Sequence, residues 1–392
     1  MKLIYFSWIA LLPFIRSISF FGVKPIAISI VFLIFWLFKI KKRQSYLIFS
    51  AFVLIFTFAV FSLFSPNKVF DNFEAYLYVF IYIFISWVFF SDLTRNEVFS
   101  KIILKFTNLI LVISIFGYFL ALMDFSTTYS MWLSSTSRAD LENSLASFAY
   151  LGKDMIFPRY SGYFLDPNRW GAFLFLYIFY ISLFYKKKSI WLFFFPFVLL
   201  ILTQSRGAIL GFFIFIISLV YLSQIHSKWV SLSLKYLVFP LIAILFIVIL
   251  YYSFPERFDL TSDLTSDRGR AAVWIYYISY LINNDFWVFG NGLEFITDKY
   301  YILGTHNTFL YVFFSFGLVG LTVFLMFFLF ALFSSISFVR GNIGKVLFSG
   351  VLGFSVILAT EDYFFTPHLW VFIAIVYSVI AQKSAFSFFG KS

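Results

Sequence analysis

Three short segments set charged or titratable side chains between long apolar runs: Thr203-Gln204-Ser205-Arg206-Gly207, Ser266-Asp267-Arg268-Gly269-Arg270 and Gly304-Thr305-His306-Asn307. The planar guanidinium of Arg206 can grip phosphate oxygens two at a time, which a lysine cannot do. An arginine that only marks a membrane interface is the alternative, but Thr203, Gln204 and Ser205 add donors that an anchor does not need. Arg268 and Arg270 stand where a helix begins, against its macrodipole, so an anion is expected to offset them. That anion is either a ligand or the nearby Asp263 and Asp267. An imidazole can take a proton from a hydroxyl, so His306, followed by Asn307 and Thr308, is a candidate general base, or it is an interface residue at a span end.

A fourth segment, Arg159 to Ala172, gathers Arg159, Asp166, Asn168 and Arg169 around Pro167. Asp166 and Asn168 fit a helix-entry cap, with Arg159 and Arg169 as candidate substrate contacts. Glu361 and Asp362 could hold sugar hydroxyls, pair with arginines, or form a solvated loop edge. There is no glycine–lysine phosphate loop, no His-Glu-x-x-His, no cysteine and no Asp-x-Asp dyad, so neither a metal nor a cofactor is expected.

The elements that must position these groups are membrane helices. Hydrophobic residues make up 62% of the 392-residue chain and charged ones 12%, far from the balance of a soluble domain. Apolar runs approaching the ~20 residues needed to cross a bilayer lie near 3–21, 24–38, 46–65, 75–91, 102–122, 162–185, 189–204, 207–223, 236–254, 307–333, 346–361 and 367–381. This predicts an all-α, polytopic integral membrane protein of about 12 spans in a single transmembrane domain, 1–392. With the N-terminus inside, the short inner loops collect 17 of the 29 basic residues, among them Lys39, Lys41, Lys42, Arg43, Lys186, Lys187 and Lys188, while only Asp92 and Glu97 of the 18 acidic residues join them. The positive-inside rule then puts both termini in the cytoplasm and all three arginine and histidine segments on the outer face. The net charge of +11 is a topology signal, and no nucleic-acid partner is expected.

Two outer segments, 123–161 and 254–305, are far longer than any inner loop, and loops of that length are usually functional or disordered, so any chemistry should face outward. Within the second, Ala271, Trp274, Tyr277, Ile278 and Leu281 recur at helical spacing and predict an amphipathic helix at the membrane interface, ended by Phe289-Gly290-Asn291-Gly292.

Taken in order, "SGYFLDPNRWGAF", "LTQSRGAILG", "RGRAAVWIYYISYL" with the later "FGNG", and "THNTFLYVFFSFGLVGL" resemble the bacterial O-antigen polymerase and O-antigen ligase superfamily over about Arg159 to Leu321. The resemblance implies a GT-C-like membrane glycosyltransferase of the bacterial inner membrane, with its active site towards the periplasm. Its implied partners are glycans carried on undecaprenyl pyrophosphate as donor and acceptor, and the bilayer; a chain-length regulator protein is compatible with it. By the same resemblance Arg206 and Arg270 match positions that engage the lipid pyrophosphate, and His306 matches the base that activates the acceptor hydroxyl. Arg268, Arg159, Arg169, Asp166, Asn168, Asn307, Glu361 and Asp362 complete the candidate substrate-binding set.

The function expected from these features is an O-antigen polymerase, metal-independent and inverting, that moves a growing glycan onto a lipid-linked repeat unit. An O-antigen ligase uses the same donor but delivers to lipid A core. A flippase for the lipid-linked unit is the rival from another class, although transporters usually hold their charges near the bilayer midplane.

Overall fold

The computed structural model describes residues 97–134, 148–150, 158–162, 166–184, 190–225, 270–292, 305–337, 341–364 and 366–389. The expected spans 3–21, 24–38, 46–65, 75–91 and 236–254 lie outside them, as do Arg268 and most of the 254–305 segment. Among the described residues the chain is almost wholly helical. The helices are α1 (Glu97–Met123), α2 (Phe125–Ser134), α3 (Pro167–Phe184), α4 (Ile190–Leu202), α5 (Arg206–Ile225), α6 (Arg270–Asn283), α7 (Thr308–Ser337), α8 (Asn342–Thr360) and α9 (Pro367–Phe389). One two-stranded antiparallel ribbon, β1 (Ala149–Tyr150) with β2 (Arg159–Tyr160), pairs Ala149 with Tyr160 and Tyr150 with Arg159. By length and composition Thr308–Ile336 and Asn342–Thr360 can each cross a membrane, and α1 with α2 makes a third span if that bent pair counts as one.

The described residues fall into two compact units, one comprising 97–209 and 366–389, the other 210–364. In the first, α1 turns by 94° into α2 at Asp124. Helical bonding survives the bend because the Asp124 amide donates to Leu120, the Thr128 amide to Asp124, and the Thr128 hydroxyl to the Ala121 carbonyl, 3.0 Å away. Part of what reads as an outer loop after Met123 is therefore helix. Tyr160 on β2 is fully buried; its ring packs 5.0 Å from Tyr118 and edge-on to Trp170 at 5.6 Å, and its hydroxyl meets Ser114. Helix α3 is buried around nearly its whole circumference from Trp170 to Ile181, as suits a helix with no polar face.

In the second unit α6 lays Val273, Tyr277 and Leu281 against Phe314 of α7, with the Tyr277 and Phe314 rings 4.6 Å apart and nearly perpendicular. The packed stripe differs from the one read from sequence: Ile278 faces outward together with Ile275 and Ile282. Apolar residues occupy most sides of this helix, so spacing alone does not say which side a partner covers.

Helix α7 is broken at Gly317, whose φ of 66° and ψ of −166° abandon the helix. The segment after α6 fills the break. The amides of Asn291 and Gly292 donate to the carbonyls of Phe314 and Ser315, and the amides of Leu318 and Val319 donate to the carbonyls of Trp287 and Val288. These four groups are the ones an unbroken helix would pair with each other, so they keep partners in an apolar span. The approach is close enough to require two glycines: a Cβ on Gly290 would stand 2.4 Å from the Phe316 nitrogen, and one on Gly317 would stand 2.2 Å from the Val288 oxygen. Phe289-Gly290-Asn291-Gly292 is thus an insert into α7 rather than the stop of α6, which already ends at Asn283.

Candidate functional site

The first unit carries the Arg206 turn. Helix α4 ends at Leu202 and α5 begins at Arg206, so the chain must reverse its bonding within three residues. Thr203 does part of this: its hydroxyl donates to the Leu200 carbonyl at 2.6 Å and accepts the Ser205 amide at 3.1 Å. Gln204 takes a left-handed conformation, φ 51°, where a helix usually ends on glycine. Ser205 opens α5, its carbonyl accepting the Ile209 amide. Thr203, Gln204 and Ser205 are all buried, and Arg206 is partly exposed at the first position of α5. The Gln204 Nε2 group is buried with no hydrogen-bond partner among the described residues.

Arg159 lies against this turn with its side chain buried. Its Nε donates to the Thr203 carbonyl at 2.9 Å and its Nη2 to the Asn168 Oδ1 at 3.0 Å and the Gln204 carbonyl at 3.4 Å. Its charge also sits 5.8 Å from the Tyr150 ring centre, a cation–π arrangement. Asp166 caps α3: Oδ1 accepts the Asn168 amide at 2.9 Å, the backbone carbonyl accepts the Trp170 amide, and Oδ2 lies 3.7 Å from the Arg169 Nε. Arg169 keeps about a third of its side chain exposed.

Sequence reasoning passes over His368, which the composition hides inside an apolar run. It is fully buried, with Nδ1 3.3 Å from the Thr366 hydroxyl.

The second unit carries Arg270, His306, Asn307, Glu361 and Asp362. Asn307 is the cap of α7, its Oδ1 accepting the amides of Phe309 at 3.0 Å and Leu310 at 3.1 Å. Thr308 ties this end to the end of α8: its hydroxyl donates to the Glu361 carbonyl at 2.8 Å and accepts the Tyr363 amide at 2.9 Å. The chain brings His306 just ahead of this cap in a left-handed conformation, φ 47°. Its Nδ1 lies 3.1 Å from Glu361 Oε1, across 55 residues of sequence. Of the partners that sequence offers Glu361, the imidazole is not among them. Asp362 turns its Oδ1 back to the Phe364 amide at 3.1 Å.

Arg270 is the first residue of α6, and Trp274, one turn later, donates its indole N–H to the Thr305 carbonyl at 2.8 Å. One side-chain bond therefore holds the helix that begins with Arg270 to the residue before His306. Burial pushes the Tyr277 phenol up to about 12, with Tyr276 and the Asp362 carboxylate adding to the shift, so that the group remains protonated at neutral pH. Nothing in the local sequence announces Trp274 or Glu361 as partners of the histidine turn, since both contacts are made across the fold.

An imidazole that gives Nδ1–H to a carboxylate keeps its Nε2 lone pair for a proton, the arrangement a general base needs. A guanidinium at the first residue of a helix adds its charge to the positive end of the macrodipole, which favours an anion there.

No curated protein matches the chain. A protein-family model described as O-antigen ligase matches residues 190–325, from α4 into the middle of α7. The matched stretch, about a third of the chain, carries Arg206, Arg270 and His306 and is what is similar to the O-antigen ligase family.

Proposed function

We propose that the chain is an O-antigen polymerase, a membrane glycosyltransferase that moves a growing glycan from undecaprenyl pyrophosphate onto a lipid-linked repeat unit at the periplasmic face. In this reading the acceptor hydroxyl attacks the anomeric carbon of the donor, its proton passes to His306 Nε2, and the bond from that carbon to the pyrophosphate oxygen breaks. Direct displacement inverts the anomeric centre. Arg206 and Arg270 engage the pyrophosphate, and fixed positive charge aimed at the negative charge that develops on the leaving group is often the largest catalytic contribution. No metal is needed for that role.

The observation that carries the reading is the His306–Glu361 pair at 3.1 Å, placed at the capped entry of α7 on a turn held in a left-handed conformation. A backbone in that region is costly for a residue other than glycine, and such conformations gather at functional sites. Glu361 orients the imidazole and offsets the charge it gains when it accepts the proton. Arg169, Asp166, Asn168, Asn307 and Asp362 remain proposed contributors to glycan binding.

The test is reconstitution of the full chain in lipid vesicles with purified lipid-linked repeat units. Longer lipid-linked glycans should appear with the wild type and not with His306→Ala. A product found only when lipid A core is supplied would make the chain a ligase, the alternative with the same donor.

A further inference from the structure

Arg159 is 5% exposed, yet it is permanently charged, and a buried charge is tolerated only where its donors are used. What it binds is informative. Two of its acceptors, the carbonyls of Thr203 and Gln204, belong to the break between α4 and α5; another, Asn168 Oδ1, belongs to the first turn of α3. The last carbonyls of a helix have no partner within it and form the negative end of its dipole, so a cation placed there satisfies both needs. The break also contains Gln204 at φ 51°, a conformation unfavourable for a residue with a Cβ.

We propose that Arg159 is a positioning residue: its guanidinium ties β2 and the entry of α3 to the Thr203–Gln204 carbonyls and thereby sets the direction in which α5 presents Arg206. The inference rests on the pyrophosphate role proposed for Arg206. It differs from a substrate contact because the donors of Arg159 reach the backbone of the turn. The geometry requires the fork. One Nε bond and one Nη2 bond leave the same planar group towards different elements, and an ammonium on a lysine stem cannot span them. A peptide unit at 203–204 that lost these bonds would rotate, and since each helical residue advances the side-chain direction by ~100°, a small change there re-aims Arg206.

The absence of cysteine from the chain makes the clamp directly testable. In full-length protein in lipid vesicles, a single Ser205→Cys is timed in its reaction with a membrane-permeant maleimide, with Thr128→Cys as the comparison, both residues being buried in the same unit. Arg159→Lys and Arg159→Gln should each speed modification at 205 by about tenfold or more and leave 128 unchanged, as local opening confined to one turn requires. Equal rates at 205 with and without Arg159, or a parallel rise at both positions, overturns the proposal. In the glycan-extension assay Arg159→Lys should lower kcat by about tenfold while KM for the lipid-linked donor stays within about threefold. A raised KM with kcat intact would make Arg159 a substrate contact and overturn it as well. The labelling arm needs no substrate, so a wild type without extension activity would refute the function proposed above while the labelling still decides the clamp.

Discussion

The turn that carries Arg206 and the turn that carries His306 solve one problem in opposite ways. Each breaks a path between apolar helices, and each forces a residue with a Cβ into the left-handed region, Gln204 in one and His306 in the other. At the first turn the strained residue only precedes the candidate site residue; its side chain is buried, and the turn is held by the Thr203 hydroxyl within it and by a cation on another element reaching its carbonyls. At the second the strained residue is itself the proposed base, and its ring is held by Glu361 while the backbone around it is held by neutral groups, Asn307, Thr308 and Trp274. A turn that must present a permanently charged group needs only its direction set. A turn that must present a base needs, in addition, one nitrogen of the ring occupied so that the other is free.

The comparison predicts where damage is greatest. His306→Ala should lower glycan extension by about 10²–10⁴-fold, the usual worth of a positioned general base, with Arg206→Ala and Arg270→Ala lowering it by about 10²–10³-fold as lost charge stabilisation; membrane levels of all three proteins should match the wild type on immunoblots. Normal glycan ladders from any of them would remove that residue from the site. Arg206→Lys should be largely inactive as well if two-pronged phosphate binding is what matters.

Glu361→Gln sharpens the contrast, because an amide can donate to Nδ1 and so hold the ring in the tautomer that has no free Nε2 lone pair. Extension should fall by about 10²-fold or more with KM little changed, an expected outcome if orientation of the ring is the role of the carboxylate. An unchanged kcat would show that the pair is only an ion pair at the end of α8.

A smaller effect is expected from Gly317→Ala, which acts on the scaffold. The added methyl group meets the Val288 oxygen, and the residue must hold φ 66°, so the α7 insert should loosen at a cost of about 1–3 kcal/mol, read as a lowered Tm in detergent. Trp274→Phe should be the mildest: it keeps the ring and loses one hydrogen bond, about 1 kcal/mol. Its signature is a change in extension rate larger than its change in Tm, since the bond it removes ends on the residue before His306. The reverse pattern would make Trp274 a stabiliser of α6 alone.

Parts of this were readable from local chemistry. Helix α6 lies where 3–4 spacing predicts it, and Asp166 with Pro167 makes the helix entry that their types suggest. The break at Gly317 was not readable. "SFGLVGL" looks like any glycine-containing apolar helix, and the reason it opens lies some 27 residues earlier, in the insert whose amides and carbonyls it exchanges bonds with. The same holds for Glu361, which sequence offers to sugars, to arginines or to water, and which the fold delivers to an imidazole 55 residues away.

By itself the sequence determined that the chain belongs in a bilayer and which residue types were candidates for chemistry. Both are properties of short windows: apolar length decides where a helix can cross, and the cost of an ionisable group in hydrocarbon makes each exception informative. Tertiary structure alone decided what those exceptions touch. Arg159 became a clamp on a backbone turn, Glu361 the partner of His306, and Phe289-Gly290-Asn291-Gly292 the filling of a broken span, because hydrogen-bonding groups inside an apolar protein must find partners wherever the packing brings them.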